Sequence, residues 1–159
     1  KPSIVGAATG AVAGLVAITP ASGWVGPMAS IIIGIAAGTV CYGCVAFKNA
    51  RKWDDALDVW GVHGMGGLTG AILTGTLASP HVWDTGDGIG AWTGTPEGYE
   101  QQAINVAGAI LSLAYAFGVS IVIFKIMDAV WPGGIRVTPK EEEIGVDLAQ
   151  NGERAYVNE

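Results

Sequence analysis

Apolar residues do not alternate with polar ones along this chain; they run. Residues 2–47, 59–83 and 101–124 carry no charged side chain, and charge is confined to Lys1 and to the stretches between and after these runs. Each uncharged run holds at least one span of about 20 residues, enough to cross a hydrocarbon core of roughly 30 Å. The first run holds two, broken at Pro20-Ala21-Ser22-Gly23, a turn signal. The pattern predicts four helices: A over residues 3–19, B over 28–47, C over 58–78 and D over 102–130. Helix A is short for a span. After Pro132-Gly133-Gly134 the chain turns polar and has little apolar surface to form a core. The expected organisation is all-α: a polytopic membrane helix bundle over residues 1–131 and a flexible or docking tail over 132–159.

Composition supports a membrane protein. Half the residues are hydrophobic and 14% are charged, against about 25% in a soluble domain; mean hydropathy is +0.43. If four helices alternate, all 8 Lys and Arg residues fall on one side: Lys1, Lys48, Arg51, Lys52, Lys125, Arg136, Lys140 and Arg154. The positive-inside rule makes that side the cytoplasm, so the N-terminal end and the tail are expected there. The net charge of −6 does not disturb this, because acidic residues contribute little to the rule. The C–D loop, with Trp83, Trp92 and Tyr99, reads as external with interfacial aromatics. No basic patch with interleaved aromatics suggests nucleic acid. The chain opens on Lys1 without Met or a signal-peptide n-region, and position 1 is read as internal to a longer chain.

Candidate chemistry is sparse. Helices A, B and C carry glycines four apart, at Gly6/Gly10/Gly14, Gly34/Gly38 and Gly66/Gly70, a spacing that lets helices approach closely. Cys41-Tyr-Gly-Cys44 has a redox or metal spacing, but inside an apolar helix a thiol reads as a small packing residue. No second such pair exists for zinc, and the two histidines at opposite ends of one helix make no metal site. His81 reads as solvated or interfacial. Nothing supplies a hydrolytic nucleophile or a phosphate loop, so neither an enzyme nor a cofactor is expected. His63 is the exception. An ionisable ring inside a membrane helix is costly and usually functional, the alternative being a structural hydrogen bond across a helix interface. Val59 and Gly67, four residues to either side, share its face. Asp58 is read as a cap or anchor at the helix start, and Asp54 and Asp55 as solvated charges or tail contacts. Asp128 is placed to pair with Lys125.

The stretch "DDALDVWGVHGMGGLTGAILTG" closely resembles the signature region of the ammonium transporter family (Amt/Mep/Rh). "KPSIVGAATGAVAGLVAITPASGWV" looks like the stretch before it, and "LAQNGERAY" is similar to the family's end pattern, with Asn151 where His is frequent. The resemblance covers essentially the whole chain but only the C-terminal part of the family's fold. It implies the last four helices, plus the tail, of an eleven-helix fold made of two inverted repeats. It implies that His63 is one of two facing histidines in a narrow apolar pore, its partner lying upstream, and that Val59 lines the pore beside it. It further implies a homotrimer in the plasma membrane and a PII-type signalling protein as cytosolic partner in nitrogen metabolism. Lys48, Arg51 and Lys52 would offer a basic loop on which Glu141, Glu142 and Glu143 dock as a regulatory contact.

The physics suits such a role. A bare ammonium ion is expensive in an apolar pore, and neutral ammonia far less so. Two neutral imidazoles offer ammonia both a donor and an acceptor, and the same pair can relay a proton. The expected function is the conducting part of an ammonium transporter. An ammonium sensor coupled to signalling, or a membrane subunit with no pore, are the alternatives.

Overall fold

A computed structural model describes residues 3–82 and 89–153. Lys1 and Arg154 of the charge pattern, Trp83 of the external loop and the end of the "LAQNGERAY" motif lie outside the described residues. The described residues are helical, without strands. They fall into two compact units, dividing at Ser112/Leu113, inside the last long helix.

In the first unit, α1 (Ile4–Ile18) starts where Ser3 Oγ accepts the Gly6 N–H at 3.0 Å, which satisfies one of the amides a helix start leaves open. It tightens into a 3-10 turn at Thr19–Ala21, where Pro20 ends the α ladder. The chain reverses through Gly23, whose φ of +84° is free only to glycine. α2 (Pro27–Ala50) opens on a proline in its first turn, the position where a missing N–H costs nothing. The next helical run covers residues 59–77 and is not uniform: a π turn at Trp60–Gly64 leads into α3 (Met65–Leu77). Helix D begins earlier than expected. α4 spans Pro96–Val130, because Thr95 Oγ1 accepts the Gly98 N–H at 3.2 Å and Pro96 and Glu97 suit a first turn.

Stripes of small residues join the first three helices: on α3 the stripe is the predicted pair Gly66/Gly70, while on α1 and α2 it lies in a different register from the predicted glycines. Ala13 and Ala17 of α1, Ala37 and Cys41 of α2, and Gly66 and Gly70 of α3 are the buried sets. Ala17, Ala21, Ile33 and Ala37 form one core cluster; Ala13, Cys41 and Val62 form another. By contrast a Cβ placed on Gly10, Gly14, Gly34 or Gly38 meets nothing within 4 Å. Lipid tails are as apolar as leucine, so contact here comes from close packing and not from expelled water; the smallest surfaces therefore meet. On Gly70 a Cβ would run into the Ala17 carbonyl.

Among the described residues three segments, Ile4–Ala21, Pro27–Ala50 and Pro96–Val130, are long and apolar enough to cross a membrane. Their outward residues are large and apolar: Ile4 is 90% exposed, Ile35 68% and Tyr42 79%. Such surfaces need lipid or further protein over them. The fourth predicted helix is represented by residues 59–77, whose α part is the shorter α3.

In the second unit α4 continues from Leu113, followed by α5 (Pro139–Ile144) and α6 (Val146–Asn151). Asp128 Oδ1 accepts the Ile135 N–H at 3.1 Å, which closes the turn that Gly133 and Gly134, at φ +89° and +84°, make possible. The tail, read as a flexible or docking segment, carries two short helices. α5 starts on a full capping box between Thr138 and Glu141, and Arg136 pairs with Glu142 at 2.8 Å.

Candidate functional site at the π turn

The loop before His63 is built on α2. Lys48, in the last turn of that helix, is 5% exposed. Its Nζ reaches Asp58 Oδ1 at 2.6 Å and donates to the Asp55 carbonyl at 2.6 Å. Asp55 also uses its carboxylate: Oδ1 accepts the Val59 N–H and Oδ2 the Trp60 N–H, both at 2.9 Å. The side-chain cap expected of Asp58 therefore belongs to Asp55, which is not simply a solvated charge. Donation from the Trp60 N–H is the main reason the Asp55 carboxyl titrates below the usual carboxylate range; slight burial opposes this, and the Val59 N–H and Lys48 add to it. Asp58 has φ +55°, a left-handed conformation that Asp tolerates better than most residues. Its carboxylate meets Lys48, and its carbonyl accepts the Val62 N–H at 2.8 Å.

The turn itself is wound wide. The Met65 N–H donates to the Trp60 carbonyl, an i→i+5 bond of the kind that recurs at functional sites. α2 grips its inner side. Gly61 lies so close to Val45 that a Cβ would sit 2.8 Å from Val45 Cγ2, and Cys41 Sγ donates to the Val62 carbonyl at 3.8 Å. Packing, then, is what Cys41 does. On the loop side Trp53 meets both Phe47 and Trp60 edge to face, with Trp53 and Trp60 centroids 5.0 Å apart, Phe47 and Trp60 are tilted to each other at 6.3 Å, and Arg51 lies over Phe47 at 4.9 Å. This aromatic trio was not anticipated, though its residues all flank the charged loop in the sequence.

With Gly61 and Val62 buried on the inner side, His63 faces outward, and Val59, one turn earlier, is half exposed. His63 fronts a cleft of about 340 Å³ whose far wall is Val5, Ala8, Thr9 and Val12 of α1. The wall is apolar in effect, since the Thr9 hydroxyl is spent on the Val5 carbonyl at 2.9 Å. An imidazole is thus presented by a widened turn to an apolar groove. The residues expected to make a regulatory contact are differently disposed. Lys48 is committed to Asp58 and Asp55, Glu141 to its capping box and Glu142 to Arg136, whereas Arg51, Lys52 and Glu143 are exposed. Among the described residues no group of three or more His, Cys, Asp and Glu converges as a metal site would require.

Apolar spans packed through small residues define a multi-pass helical membrane protein. The chain belongs to the Ammonium Transporter Family, whose model matches residues 1–156. It is 43% identical to the ammonium transporter Amt1 of Archaeoglobus fulgidus over 98% of this chain and 38% of that one. It is 44% identical to the Bacillus subtilis ammonium transporter over 98% of this chain and 37% of that one. The crystal structure of Candida albicans Mep2 matches with a TM-score of 0.79 at 38% identity, covering 94% of this chain and 33% of that one. The chain therefore spans well under half the length of the relatives it matches.

Proposed function

We propose that the chain forms one wall of the conduction path of an ammonium transporter and that His63 is its substrate-facing group, with Val59 lining the path beside it. The observation that carries this reading is the π turn, which turns a single imidazole out of a packed helix towards an apolar groove. Ammonium that sheds its water there is costly as a cation; an imidazole can accept its proton or hold neutral ammonia by a hydrogen bond. Potassium has no proton to give, so the same groove excludes it. A facing histidine would come from a part of the transporter beyond this chain. The setting proposed with it is a homotrimer in the plasma membrane, with the tail and the loop of Arg51 and Lys52 cytoplasmic and contacted by a PII-type protein. The sensor reading uses the same groove and differs in what the tail couples to.

The test is His63→Ala in the full-length transporter containing this segment, reconstituted in vesicles. Ammonium-evoked current or its discrimination against potassium should fall while assembly is preserved. Normal transport with unchanged discrimination overturns the assignment. A variant that binds ammonium and signals without flux would favour the sensor.

A further inference from the structure

Lys48 stands apart from the other basic residues. It is a long cationic side chain almost wholly buried at the end of an apolar helix, where a charge is retained only if fully paired. Its ammonium grips two residues of the same loop at once, the Asp58 carboxylate and the Asp55 carbonyl, each at 2.6 Å. Those two residues define where the π turn starts. Asp55 holds the Val59 and Trp60 N–H groups, and Asp58 turns the backbone into the helix through its left-handed conformation. A rotation of the turn about the helix axis would move both anchors relative to α2, and Lys48 resists it.

We propose that Lys48 is a positioning residue for transport: by tying Asp58 and Asp55 to α2 it fixes the rotation of the Trp60–Gly64 turn and hence the aim of His63 and Val59 into the path. This rests on the conduction reading of His63. Lys48 does not touch the substrate groove; its effect passes through the turn.

The experiment uses the full-length transporter in vesicles, with ammonium and potassium currents measured per assembled protein. Lys48→Met, Asp58→Asn and the double variant are compared with His63→Ala. Asn keeps the tolerance for the left-handed conformation, so Asp58→Asn removes charge and not backbone fit. In each single variant the ammonium-to-potassium ratio should fall about tenfold or more, because small misplacements of a working group are costly. The double variant should fall no further than either single one, since both act through one pair. A purely structural role would lower yield and thermal midpoint but leave the ratio of assembled protein unchanged, and that result overturns the inference. Should Lys48→Met fail to assemble, the charge-neutral double variant decides by the same criterion. If that fails too, the pair holds the fold instead of aiming a side chain, and the inference is lost. An unchanged ratio in His63→Ala overturns the conduction reading and this inference with it; a drop there alone overturns only this one.

Discussion

Asp55 shows how one side chain can serve backbone and charge together. Its carboxylate is held by two helix-start amides, and its folded pKa is depressed chiefly by the Trp60 N–H. A depressed carboxyl contributes stability that is present above its unfolded pKa of about 3.9 and is lost as pH falls through the folded value. The Asp55→Asn variant should therefore melt lower than the parent by a constant margin from about pH 8 to pH 5, with the margin closing only below about pH 4. Melting curves of the two proteins across that range check this. A margin that closes between pH 7 and 5 would locate the sensitivity elsewhere. The role was partly written in the sequence. Three carboxylates before a helix announce a cap, but choosing Asp55 over Asp58 depended on the left-handed backbone at Asp58, which residue type alone does not dictate.

At the scale of elements, the wall between α1 and α3 rests on glycines that do unequal work. A methyl on Gly70 meets the Ala17 backbone, which has nowhere to go, while a methyl on Gly66 meets Cys41 Sγ at 3.1 Å, a side chain able to shift. Gly70→Ala should cost about 1–3 kcal/mol as overpacking, and Gly66→Ala distinctly less. Thermal midpoints in detergent give the order, and the reverse order would mean that α1 and α3 pack otherwise. The four apolar segments were legible because uncharged runs of that length have few soluble uses. The packed face was legible on α3, at Gly66/Gly70, but not on α1 and α2, because small residues recur there every four positions in more than one register, as Gly10/Gly14 and Ala13/Ala17 show. The π turn was illegible for a related reason. Its wide bond is favoured by contacts from α2, at Gly61 against Val45 and Val62 against Cys41, which are distant in sequence.

Among the described residues large apolar side chains stand exposed along α1 and α2 and along α4, where Leu111 is 71% exposed and Phe117 70%. As the sole protein in vesicles it should give no selective ammonium flux, measured by the same currents; selective flux would show that these helices close a path unaided. Removing residues 136–159 from the full-length transporter should lower flux or uncouple it from a PII-type protein without unfolding the membrane part. Unchanged binding and flux would leave α5 and α6 as a solvated appendage. Within the acidic run Glu141 serves the Thr138 capping box and Glu142 pairs with Arg136, while Glu143 stays exposed. The aromatic trio has a practical consequence of another kind. Trp53 and Trp60 stand edge to face at 5.0 Å, one in the loop and one in the π turn, close enough for their electronic transitions to couple. A circular dichroism couplet that disappears in Trp60→Phe would make the turn an optical gauge of its own geometry, readable in the working transporter without any added label.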